Sequence, residues 1–147
     1  MHLATVWLRD MDAVTREITL PVTIEEAWEL LTRPEDLAAW LGREVQLDPT
    51  PGSAGRVVDH DGAVHRLVVD AVEPGRRLAW HWWDESSPAE SSRVEITVTP
   101  TEQGTAVRVV EALPSAAPVV QAMASEAWSH RLLHLESLLL VAAAVRG

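Results

Sequence analysis

Three observations predict an α+β fold in which a curved antiparallel sheet of about seven strands wraps around one long C-terminal helix. First, Ser115 to Arg146 contains no glycine, and its apolar residues recur three or four apart: Val120, Ala124, Ala127, Trp128, Leu132, Leu135, Leu138, Leu139 and Ala142. That spacing places them on one stripe of a helix. Second, from Arg43 to Glu111 the apolar period changes to two, with turn residues between short runs. This is the pattern of hairpin-linked strands. Third, a hairpin-built sheet has one apolar face that needs a cover. The terminal helix, roughly 40 Å long at ~1.5 Å per residue, is the element large enough to supply it.

Residues Ala4 to Leu8 either extend the first strand or form a loose arm. Ala13 to Leu20 alternates Val14, Arg16, Ile18 and Leu20 with Thr15, Glu17 and Thr19, which predicts a strand whose apolar face Arg16 interrupts. Pro21 ends it. Thr23-Ile24-Glu25-Glu26 then reads as a capping box opening a short helix, with Ala27, Leu30 and Leu31 as its apolar face. Pro34 starts a second short helix through Trp40, and Gly42 stops it.

Val45 and Leu47 form a short strand, and Arg56 to Asp59 the next. Asp61-Gly62 predicts a two-residue hairpin. The strand Val64 to Glu73 follows, with Leu67, Val69 and Ala71 on one face. Pro74-Gly75 suits a type II turn. In the strand Arg77 to Asp84, Leu78, Trp80 and Trp82 share a face, and Ala79, His81 and Trp83 take the other. Val94, Ile96 and Val98 mark another strand, and Thr105 to Glu111 the last. Ser115 is the expected N-cap of the long helix, with Pro118 in its first turn. One domain covering 1–147 is the expectation for this length.

Composition narrows the function classes. The net charge is -10 and the chain has arginine but no lysine, which argues against nucleic acid as a partner. There is no cysteine, so thiol and redox chemistry are excluded. The start MHLATVWLRD has neither a basic n-region nor a long apolar core, so no signal peptide is expected. No apolar run reaches the ~18 residues of a membrane span, so no membrane partner is expected and a cytoplasmic location is the default. Seven Trp stand beside no Phe and no Tyr. Indole must therefore serve wherever a large ring is needed.

The order strand, two short helices, six strands, long helix resembles the helix-grip fold of the START-like, Bet v 1-type superfamily. More narrowly, the chain resembles the bacterial family homologous to the activator of the heat-shock protein 90 ATPase. Four stretches carry the likeness: residues 16–41, with the strand, proline, capped helix and Pro-started helix ending in Trp; the glycine segment Pro51–Gly55; residues 72–82, with Pro74-Gly75 and Leu78 ahead of Trp80 and Trp82; and residues 92–105. The family often has Gly-Trp early in the last helix, where this chain has Ala127-Trp128.

The resemblance implies an apolar pocket between the long helix and the sheet, under the two short helices. Its expected lining is Trp28, Trp40, Leu67, Val69, Trp80, Trp82, Val94, Ile96, Trp128 and Leu132, with His81 and Arg108 as polar contacts that orient a ligand. Indoles would supply flat surface and one N–H donor each. The alternative is that these Trp fill the core in place of Phe and Tyr. The expected function is binding or carrying a small apolar molecule, with no catalytic residue, cofactor or metal. Two other readings stay open: a cyclase or hydrolase using a pocket His or Glu, and a chaperone-regulator-like interaction module.

His65, His81, Asp70, Glu111 and Arg108 are the acid–base candidates for the enzyme reading. No nucleophile–base motif, P-loop or dinucleotide glycine pattern is present. Glu126, His130 and His134 stand at i, i+4 and i+8, a spacing that suits either a metal or an ordinary solvated helix face, and the latter is the expectation. Trp83 should point away from Trp82, under a loop or toward a partner. The run Leu138 to Val145 is apolar all round, so either the fold or a second copy in a homodimer should cover it.

Overall fold

The computed structural model describes residues 13–115 and 117–146, with side chains as far as Leu140. Seven strands follow the order of the chain: β1 (Ala13–Leu20), β2 (Glu44–Gln46), β3 (Ala54–Val58), β4 (Val64–Glu73), β5 (Arg77–Asp84), β6 (Ser91–Thr101) and β7 (Gly104–Ala112). Helices α1 (Ile24–Thr32) and α2 (Pro34–Trp40) lie between β1 and β2, and α3 (Pro118–Arg146) closes the chain. The sheet order is β1-β7-β6-β5-β4-β3-β2, every neighbouring pair antiparallel. Strands β2 to β7 are a meander, and β1 adds to its far edge beside β7. This is the expected α+β helix-grip arrangement. The arm expected at Ala4 to Leu8 lies outside the described residues.

Local chemistry places the elements. Thr23 Oγ1 accepts from Glu26 N at 3.1 Å while Glu26 Oε1 accepts from Thr23 N at 3.0 Å, so the capping box forms in full. Pro34 opens α2 one residue after α1 ends. Trp40 Nε1 donates to Leu30 O at 2.8 Å and fixes the angle of the two helices. Gly75 has φ +74°, and Arg76 N donates to Glu73 O, the geometry of the expected turn.

Several local expectations are corrected. The β3–β4 connection is a three-residue loop, not two. Gly62 N donates to Asp59 O, Gly62 has φ +96°, and Asp59 N pairs with Ala63 O. A type I turn followed by a positive-φ glycine needs that extra residue. A bulge at Asp70 shifts the β4 register, so Val72 rather than Ala71 follows Leu67 and Val69 into the core. Helix α3 starts after Ala117, whose carbonyl accepts from Gln121 N. Ser115 Oγ accepts from Ala117 N, so it shapes the approach to the helix instead of capping it.

The inner face of the sheet, α1, α2 and α3 enclose one apolar core. Arg16, which breaks the apolar face of β1, donates from Nε to Ser129 Oγ at 3.1 Å and from Nη2 to Ser125 Oγ. The charge at that position thus ties α3 to the sheet edge. On its outer side α3 leaves Val119, Met123, Leu133 and Leu140 exposed. The side chains of most of the terminal apolar run, from Val141 on, lie outside the described residues.

Candidate functional site

The β5 alternation sends Leu78, Trp80 and Trp82 inward and His81 outward. Trp82 sits at the centre of an aromatic cluster. Its ring packs edge-on to Trp80 at 5.7 Å, near-parallel to Trp128 of α3 at 6.0 Å, and on the His65 ring at 4.4 Å. Trp40, Trp80 and Trp128 have no exposed surface. Trp80 Nε1 is buried with no hydrogen-bond partner among the described residues.

Beneath these rings lies a carboxyl group. Glu111 of β7 is 5% exposed. Its Oε2 accepts from Trp82 Nε1 and its Oε1 from Trp128 Nε1, both at 2.8 Å. Ser92 Oγ on β6 also donates to Oε2. One carboxyl therefore satisfies two indole N–H groups that would otherwise be orphaned in the core.

Above the rings lies a guanidinium. Arg131 of α3 is 4% exposed, with its Cζ 4.6 Å from the Trp128 ring centre and 5.1 Å from that of Trp82. Cation–π attraction compensates part of its lost hydration. Its Nη2 donates to Asp59 Oδ1 at 2.8 Å, and Asp59 Oδ2 pairs with His65 Nε2 at 2.8 Å. Burial works to raise the Asp59 carboxyl. The His65 hydrogen bond and the Arg131 charge outweigh it and hold Asp59 below the ordinary carboxylate value of 3.8.

Asp59 and Arg131 of this network line a surface cleft of about 410 Å³. The β3–β4 connection contributes Asp59, His60 and Asp61, and α3 contributes Met123, Glu126, Ala127, His130 and Arg131. The α3 residues recur at three- and four-residue spacing, so one face of the helix makes a whole wall. His60 stacks on His134 at 4.4 Å and links the hairpin tip to α3. Ala127 lines this cleft.

The expected lining residues are gathered but packed. Trp40, Leu67, Val69, Trp80, Trp82, Val94, Ile96, Trp128 and Leu132 belong to one buried cluster, with Trp28 against its edge. None of them lines the cleft, although Trp82 and Trp128 lie directly behind Arg131. His81 and Arg108 do not join them. His81 Nδ1 bonds Asp70 Oδ1 at 2.9 Å and its ring stacks on Trp83, all on the outer face. Arg108 is exposed between the inward Val107 and Val109. Both follow the two-residue period of their strands.

Among the acid–base candidates, His65 and Glu111 meet around Trp82, whereas Asp70 and His81 pair outside with Arg93 nearby. Glu126 and His130 approach to 3.9 Å, and no group that could hold a metal occurs among the described residues. No sequence pattern marks Arg131, Asp59, His60, Asp61, Met123 or Ser92 as a site residue, although Asp61 stands in the hairpin signal. Arg131 left a trace, as a charge three residues after Trp128 on the apolar stripe.

Relatives agree with this architecture. DynU16, described as a protein in the dynemicin biosynthetic locus, superposes with a TM-score of 0.80 at 27% identity; the match covers 87% of this chain and 47% of DynU16. This chain therefore spans about half the length of that relative. Protein MLL2253 from Mesorhizobium loti superposes at 0.76 with 27% identity, over 86% of this chain and 96% of its own. CalU16 from Micromonospora echinospora, 23% identical over 84% of this chain and 73% of its own, shares the fold at a TM-score of 0.67. No curated protein matches the sequence. Residues 21–140 match the family described as Activator of Hsp90 ATPase homolog 1-like protein. That match runs from the end of β1 through both short helices and the meander into α3, and the chain belongs to this family.

Proposed function

We propose that this chain binds a small, largely apolar organic molecule reversibly in the cleft between the β3–β4 hairpin and α3. The observation that carries this reading is the cleft itself. Its volume of about 410 Å³ lies in the range of small-molecule sites. Its inner wall is held by Arg131, Asp59 and the Trp82–Trp128 pair, so the site is preformed. Preformed walls lower the ordering cost of binding. The likeness to DynU16, described as a protein in the dynemicin biosynthetic locus, supports a small organic ligand over a macromolecular one.

Native mass spectrometry of the purified protein, followed by denaturation and identification of released molecules, tests the reading. One apolar molecule per chain is the expected result. Ala127→Trp, which places an indole in the cleft, should abolish it while leaving the melting temperature nearly unchanged. A clean apo mass with no thermal shift across a panel of lipids and polycyclic compounds would overturn the reading.

A second reading is favoured by the His65–Asp59 pair, an imidazole outside the lining held by a carboxylate that belongs to it. A cyclase or hydrolase would use His65 as its base. A captured ligand recovered chemically unchanged after prolonged incubation with the protein would eliminate it. Turnover that is lost in His65→Gln, with binding intact, would establish it.

A further inference from the structure

The cleft carries carboxylates on both walls, Asp59 and Asp61 from the hairpin and Glu126 from α3. A single guanidinium lines it, and that cation is already committed. Arg131 bonds Asp59 and lies across Trp82 and Trp128. Asp59 and Arg131 therefore cancel. Asp61 and Glu126 remain. Among the described residues, Asp61 Oδ1 accepts from the local Ala63 backbone N–H alone. Glu126 is exposed, with His130 Nε2 no closer than 3.9 Å. His60 is stacked on His134. The chain has no lysine, and the Arg43 guanidinium reaches the hairpin tip beside Gly62, outside the lining. Between the acidic walls, Met123 and Ala127 offer apolar surface.

Resting on the binding reading above, we infer that the ligand is a cationic amphiphile, an organic amine with a flat apolar body. The body covers Met123 and Ala127, and the protonated amine lies between Asp61 and Glu126. An anionic ligand would meet two carboxylates and, among the described lining residues, no guanidinium beyond the committed Arg131, so like-charge repulsion selects against it. A neutral ligand gains the apolar contact alone. A cation gains both, helped by the field that a concave acidic surface focuses. Both carboxylates are solvated, so the selectivity is modest and falls with salt.

Three probes with one ring system test the inference near neutral pH and low ionic strength: 1-naphthylmethylamine, 1-naphthalenemethanol and 1-naphthoic acid. Binding is followed by calorimetry, and the site by amide NMR shifts at His60, Met123 and Ala127. The amine should bind roughly tenfold tighter than the alcohol, and the acid more weakly than either. In Asp61→Asn/Glu126→Gln the amine should lose its advantage and bind no tighter than the alcohol binds the same variant. The melting temperature of that variant shows that it is folded. Equal binding of amine and alcohol to the native protein, or a preference that survives in the double variant, would overturn the inference and leave the binding reading standing. If none of the three probes shifts the cleft amides, the binding reading fails and takes the inference with it.

Discussion

At Glu111, a carboxyl on the inner face of β7 accepts from Trp82, Trp128 and Ser92 at once. Its removal leaves the two indole N–H groups without an acceptor in the core and the part-buried Ser92 hydroxyl without its partner. Glu111→Ala should cost about 2–4 kcal/mol of stability, since each buried unsatisfied donor is expensive. Glu111→Gln keeps one acceptor oxygen and should cost less, about 1–2 kcal/mol. Urea denaturation of the two variants checks the order, and equal losses would show that the hydrogen bonds are not the cause. Asp59 gives the pH counterpart. Its carboxyl is held below 3.8 in the folded state, against the opposing effect of burial, by His65 and Arg131. A depressed folded value means that its contribution is fully present above the unfolded value and lost as pH falls through the folded one. The stability difference between the native protein and Asp59→Asn should therefore shrink as pH falls below about 4. A difference that stays flat to the acid limit would contradict the network.

Helix boundaries rest on a few side chains. The Thr23–Glu26 box opens α1 with both reciprocal bonds made. Thr23→Ala should cost about 1 kcal/mol, measurable as a shift in denaturation midpoint with unchanged slope. The β6–β7 hairpin is more demanding. Gly104 has φ +140°, and a Cβ there would collide with the Leu20 carbonyl oxygen at the end of β1. Gly104→Ala thus meets both backbone strain and a backbone clash, and should destabilise by about 2 kcal/mol or more. A loss no larger than that of Thr23→Ala would show that the hairpin relaxes freely. Arg16 works between elements, since its bonds to Ser125 and Ser129 join the sheet edge to α3.

Across the whole molecule, the Trp82–Trp128 contact couples the sheet to the helix that covers it. Neither surface is stable alone, because each is apolar on the side facing the other. Unfolding followed by near-ultraviolet circular dichroism, which reports the packed indoles, should coincide with the far-ultraviolet transition. Separate midpoints would mean that α3 detaches before the sheet melts. The described residues include no helix long and apolar enough to cross a membrane. The cleft occupies the place where the β3–β4 hairpin meets α3, so its two walls come from segments far apart in the chain.

The sequence by itself determined the order of elements, the sheet and the long covering helix, because apolar period and turn chemistry act over a few residues. It also determined that Trp80 and Trp82 share a face opposite His81 and that Trp83 points away, since strand alternation is local. Nine of the ten expected lining residues did come together, but as close-packed core with Trp28 at its edge. Which of them kept open space depended on how the side chains fill the interior, and no period encodes that volume. The cleft lay instead beside Arg131, whose neighbours Asp59, His65, Trp82 and Trp128 come from the β3–β4 hairpin, two strands and a helix. A buried guanidinium is tolerable only with such partners around it. Long-range packing had to assemble them before the charge on an apolar stripe made physical sense.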